Sequence, residues 1–135
     1  MEYMIMPLKR YADFHGRSRR KEYWMFVLFQ LLLMVPVVLI LSLLGGLGAD
    51  GDSTFGGILL IIFGLIYLGV FMIPGIAVQV RRFHDQDKSG WLILLGFIPY
   101  VGSIILLVFM CLEGTKGTNR FGPDPKDPYS EDVFA

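Results

Sequence analysis

Polar and apolar residues are segregated along this chain. Three stretches carry no charge: Tyr23–Ala49, Ser53–Val80 and Ser89–Leu112. A helix needs about 20 apolar residues to cross the roughly 30 Å hydrocarbon core of a bilayer, and each stretch is longer than that. The pattern predicts an all-α polytopic membrane protein with three transmembrane helices, at about 24–44, 58–80 and 91–112. These form one membrane domain over 1–125, followed by a flexible tail at 126–135. A cleaved signal peptide would have an apolar region of about 7–15 residues. Trp24–Leu44 is longer and follows an N-terminal segment that contains acids, so it reads as an uncleaved span.

Punctuation refines the picture. Pro7 is expected to break any early helix. Ser18 is placed to cap a helix starting at Arg19. Tyr23 and Trp24, and then Trp91, sit where aromatic rings collect at the water–lipid boundary. Pro36 and the Pro74-Gly75 pair predict kinks or bends in the first two helices. Gly45–Gly57 holds six glycines and reads as a flexible loop. Pro99 and Gly102 interrupt the third stretch and leave two paths open: a kinked span, or a re-entrant hairpin turning at Pro99–Gly102. The span is preferred, because non-helical backbone at that depth must be shielded by protein and three helices supply little.

Charge distribution adds orientation. The 12 basic and 12 acidic residues cancel overall, so nothing pulls the chain toward nucleic acid. The segment before the first stretch is net +3, Gly45–Gly57 is −2, Arg81–Gly90 is +1 and the tail from Glu113 is −2. Basic residues favour the cytoplasmic side. This places the N-terminus and Arg81–Gly90 in the cytoplasm, the glycine loop outside and, after three spans, the C-terminus outside. Cys111 is the single cysteine and reads as a packing residue.

Three polar segments stand out together: Gly16-Arg17-Ser18-Arg19-Arg20-Lys21-Glu22-Tyr23-Trp24; Arg81-Arg82-Phe83-His84-Asp85 with Ser89-Gly90-Trp91; and Gly114-Thr115-Lys116-Gly117-Thr118-Asn119-Arg120-Phe121-Gly122-Pro123-Asp124-Pro125. The combination resembles the bacterial family catalogued as domain of unknown function 805, the YhaH/YhaI-like inner-membrane proteins. The resemblance runs from about Tyr11 to Pro125. It implies a small multi-pass protein of the bacterial inner membrane and assigns no activity.

Candidate chemistry lies on the polar rim. Arg17 and Arg20 are spaced to share a helix face, which suits phosphate geometry. His84 and Asp85 invite a general-base or metal reading, with Asp87 and His15 as further ligands. Their spacing matches no zinc pattern, so a polar cap is favoured in which Arg81, His84, Asp85 and Ser89 pair with one another. Asn119 and Arg120 belong to a turn on the bundle end. No acid, base or histidine lies inside the spans, which weighs against an ion pump. The expected function is a non-enzymatic inner-membrane protein without cofactor. It would bind anionic lipid, an unknown protein partner or further copies of itself through a rim of Arg17, Arg20, Trp24, Arg81, His84, Asp85, Ser89, Trp91, Asn119 and Arg120. The alternative is a subunit of an oligomeric channel or transporter.

Overall fold

A computed structural model describes residues 2–46 and 54–126. Most of the glycine loop, with Asp50 and Asp52, and the tail beyond Lys126 lie outside the described residues. Four α-helices run in order: α1 (Glu2–Lys9), α2 (Arg20–Gly46), α3 (Thr54–Asp85) and α4 (Val101–Cys111), with a 3₁₀ segment, Gly90–Phe97, before the last. Among the described residues all regular structure is helical, apart from a single bridge between Asn119 and Gly122. The chain is thus an all-α membrane protein with three apolar helical segments.

α2 and α3 form an antiparallel pair. Glu22 lies beside Arg81 at one end, Phe26 and Phe29 meet Phe71 in the middle, and Gln30 accepts a 3.2 Å hydrogen bond from Tyr67 further along. Neither internal proline breaks its helix: Pro36 lies within α2 and Pro74 within α3. Pro74 has no N–H to give the Val70 carbonyl. One residue away, the Gly69 carbonyl accepts the Tyr11 hydroxyl at 2.6 Å. α3 has 32 residues, so it is about 48 Å long at helical rise. Its last turn therefore carries Arg81–Asp85 beyond the apolar span. A C-terminal wrap ends it. The Lys88 N–H reaches back to the Phe83 carbonyl at 2.9 Å, and Asp87 takes the left-handed conformation.

Two expectations need correction. Pro7 does not break the first helix. It lies inside α1 and is buried, and in an eight-residue helix its missing N–H costs only one internal bond. Ser18 caps nothing, because α2 begins at Arg20 and Ser18 is wholly buried.

The last apolar segment has two expected paths. It doubles back. Gly90, at its start, lies against Val80 and His84 of α3. Phe109, near its other end, stacks edge-on against Phe83 of the same helix, with ring centroids 5.7 Å apart. Midway, Gly96 faces Leu106. The 3₁₀ arm is shorter in residues than α4 but rises more steeply per residue, so the two arms match in length. Each reaches through only about half of the hydrocarbon thickness. The segment 91–112 is therefore folded as a hairpin of two helical arms.

The turn can sit deep because its donors are nearly all used. Pro99 has no N–H to leave unsatisfied. Ile98, Val101 and Gly102 donate to Leu95, Pro99 and Ile98 carbonyls at 3.1, 2.7 and 3.1 Å. Tyr100 supplies the reversal at φ 64°. Gly102 is required by close approach: a Cβ there would collide with the Leu95 carbonyl oxygen.

Candidate functional site

The hairpin returns the chain to the end of α3 where the N-terminal segment already sits. Three sequence-distant polar segments thus meet: 16–22, 81–90 and 113–125. Charge is buried there. Arg17, Ser18, Glu22, Arg81, Arg82, Asp85 and Gln86 are all buried.

Buried charges persist only when paired and hydrogen-bonded, and these are. Asp85 receives Arg17 at 3.0 Å on one oxygen and Arg82 at 2.6 Å on the other. Arg81 pairs with Glu22 at 3.1 Å and donates through Nε to the Ser18 hydroxyl at 2.8 Å. Most of the remaining guanidinium donors go to backbone carbonyls. Arg17 donates to Gly117 at 2.6 Å and to Thr115; Arg81 donates to Asp13 at 2.7 Å; Arg82 donates to Leu112 at 2.6 Å. Among the described residues, Arg82 Nε is the one buried side-chain polar atom without a partner.

These contacts tie the tail down. The Thr115 N–H donates to the Asp85 carbonyl at 2.7 Å, and the Gln86 amide donates to the Phe109 carbonyl. Gly114 passes so close to Asp85 that a Cβ would collide with the carboxylate. His84 lies flat on Phe121, with centroids 4.0 Å apart, and its Nδ1 is 3.1 Å from the Gly16 carbonyl. A carbonyl only accepts, so Nδ1 carries the proton. Burial, the largest influence, holds the imidazole pKa below its ordinary 6.5, opposed by the Gly16 hydrogen bond. Asn119 donates to the His84 carbonyl at 2.9 Å and to the Thr115 hydroxyl at 2.7 Å.

The expected rim residues divide into two groups. Arg17, Arg81, His84, Asp85 and Asn119 come together, but Arg81, His84 and Asp85 do not pair with one another as expected. Each binds the 16–22 segment instead: Arg81 at Ser18 and Glu22, His84 at Gly16 and Asp85 at Arg17. Ser89 stands apart and caps the 3₁₀ segment, accepting from the Trp91 N–H at 3.3 Å. Arg20 and Arg120 form half-exposed ion pairs with Glu113 at 3.0 Å and Asp87 at 3.1 Å. Trp24 and Trp91 are exposed, at 37% and 78%. Arg17 and Arg20 do not present one phosphate-binding face, because Arg17 points inward. Ser18, Glu22 and Gln86 belong to the cluster although they are not among the expected rim residues. A carboxylate one turn into an apolar helix is the available signal at Glu22.

Among the described residues no three His, Cys, Asp or Glu side chains come together to hold a metal. The arrangement immobilises charge.

The tail contacts bear on topology. Arg17 touches Gly117 and Arg19 touches Pro125. The N-terminal segment and the tail therefore lie together at one end of the molecule.

The family model described as "Protein of unknown function (DUF805)" matches residues 11–123. The inner membrane protein YhaH of Escherichia coli K12 is 47% identical over 126 residues, spanning 93% of this chain and 98% of that protein. The inner membrane protein YhaI of the same strain is 40% identical, spanning 93% and 97%. The uncharacterized protein YiiR is 26% identical over 140 residues, spanning 85% and 87%. No solved structure matches.

Proposed function

The chain belongs to the DUF805 family of proteins of unknown function, and from that premise we propose that it is a non-enzymatic membrane protein whose polar end faces the cytoplasm and binds anionic lipid. One observation supports this. Because the hairpin doubles back, all 12 Lys and Arg residues fall in segments that gather at one end, 9–21, 81–88 and 116–126. Seven acids accompany them there: Glu2, Asp13, Glu22, Asp85, Asp87, Glu113 and Asp124. Twelve against seven leaves +5, and the other five acids, at 50, 52, 127, 131 and 132, lie outside the described residues. Such asymmetry favours the cytoplasmic side.

The cations that meet lipid are only in part those the sequence suggests. Arg17, Arg81 and Arg82 are consumed internally. Lys21, Lys88, Lys116 and Arg120 remain at the surface or half-exposed. Each contributes about 1 kcal/mol near an anionic surface, and less as salt rises. Native mass spectrometry of detergent-purified protein tests the reading. Phosphatidylglycerol and cardiolipin should be retained in preference to phosphatidylethanolamine, and Lys21→Ala/Lys88→Ala should reduce the preference. Equal retention of anionic and zwitterionic lipid contradicts it.

A further inference from the structure

A cavity of about 610 Å³ opens where the membrane boundary should lie, between the Phe14-His15 stretch, the last three turns of α3, the start of the 3₁₀ segment and the Arg120-Phe121 turn. Its size is that of a small-molecule site. Its walls change character with depth. Along α3 the lining residues Ile76, Val80 and His84 follow one another at a spacing of one turn. The lining therefore passes from apolar to polar over two helical turns toward the polar end. Ile93 continues the apolar part, and Ser89 and Arg120 stand at the polar end. The gradient runs in the direction in which a phospholipid changes from acyl chain to headgroup.

We propose that this cavity holds one glycerophospholipid with a hydroxylated, anionic headgroup, an acyl chain lying against Ile76, Val80 and Ile93. The proposal rests on the reading that the polar end engages anionic lipid, and it names the site. Hydrogen-bonding capacity at the mouth fits the headgroup. Arg120 spends Nε and Nη2 on Asp87, at 3.1 and 3.0 Å, which leaves Nη1 for a phosphate oxygen. Ser89 Oγ accepts from Trp91, so its own proton is free to donate. His84 commits Nδ1 to the Gly16 carbonyl, so in the neutral ring Nε2 is an acceptor and suits a headgroup hydroxyl. Nε2 faces Gly90, where a Cβ would sit 3.3 Å from it and 2.7 Å from Val80 Cγ1. A side chain there would push into the walls of the cavity.

The test uses the full chain in nanodiscs of phosphatidylethanolamine containing a minority of phosphatidylglycerol with a photoreactive diazirine on one acyl chain. After irradiation, adducts are mapped by peptide mass spectrometry. They should concentrate on Phe14, Ile76, Val80 and Ile93, and Ile93→Trp, which fills the cavity, should remove most of them. Arg120→Ala, a surface change that leaves folding intact, should lower them about fivefold, the effect of one cation at a lipid phosphate. A phosphatidylcholine probe should label these positions less than phosphatidylglycerol does. Adducts spread evenly over the lipid-facing side of α2 would overturn the proposal, as would cavity adducts insensitive to both substitutions. If anionic lipid is still enriched overall in that event, the site fails while the broader reading stands.

Discussion

The two ends of α3 live in opposite worlds. Through the apolar span its large side chains face outward: Ile61, Leu65 and Ile66 are all strongly exposed. At the polar end, Arg81 and Arg82 are fully buried. A water-soluble protein does the reverse, keeping charge outside and aliphatic side chains within. Lipid solvates the aliphatic part here, so the bundle gains little by burying it. What the fold buries instead is a lattice of guanidiniums, carboxylates and carbonyls that joins three distant segments. The specific geometry of the molecule is therefore concentrated at its polar end, and the apolar majority supplies solubility in the bilayer.

The largest break of that contrast should come from Asp85→Ala. It strips the shared counterion from Arg17 and Arg82, and orphaning a buried charge costs about 3–5 kcal/mol. Thermal unfolding in detergent should show a large fall, whereas Leu65→Ala on the lipid face should barely register. Equal effects of the two would mean that the polar cluster is not the core.

Gly102→Val should come next. Its Cβ meets the Leu95 carbonyl, and overpacking of this kind costs about 1–3 kcal/mol. Hydrogen exchange should rise in 113–122 as the hairpin opens and the tail loosens. Unchanged protection there would separate the hairpin from the tail.

A pH dependence sharpens the contrast further. The folded His84 pKa lies below the unfolded 6.5, so between those values the unfolded chain binds more protons. Stability should be full above about pH 6.5 and fall as the pH drops through that window. His84→Gln should flatten the slope. A melting temperature that rises on acidification in wild type would contradict the sign.

The smallest effect belongs to the rim. Arg20 and Glu113 pair at 3.0 Å, but their side chains are 40% and 60% exposed. Arg20→Ala should cost no more than about 1 kcal/mol, and added salt should erase the difference.

Much of this architecture is legible in the sequence, for physical reasons. The lipid solvent imposes long uncharged stretches, and those set the apolar helices and the all-α class. The polar motifs that resemble the family are the segments that converge. The hairpin is written at Pro99 and Gly102, yet the sequence favours a span as long as the turn is held to need shielding from neighbouring helices. Local pairing and the missing proline donor supply most of that protection. Internal pairing of the arginines is illegible for a different reason. Arg17, Arg20 and Lys21 look alike as a basic run, and only the tertiary packing against α3 and the tail decides that Arg17 is buried on Asp85 while the others stay nearer the surface. Ser18 is placed to cap a helix, and the Arg81 guanidinium, 63 residues away, takes it from that role.

The convergence of the polar segments requires the hairpin to bring the N-terminal segment and the tail to one face of the membrane. In a Cys111→Ala background, single cysteines at His15 and Lys116, both exposed, can be probed in sealed membrane vesicles with an impermeant maleimide. The account predicts that both positions are labelled from the same side and protected from the other. Labelling of His15→Cys from one side and Lys116→Cys only from the opposite side would contradict it, and would restore three complete crossings.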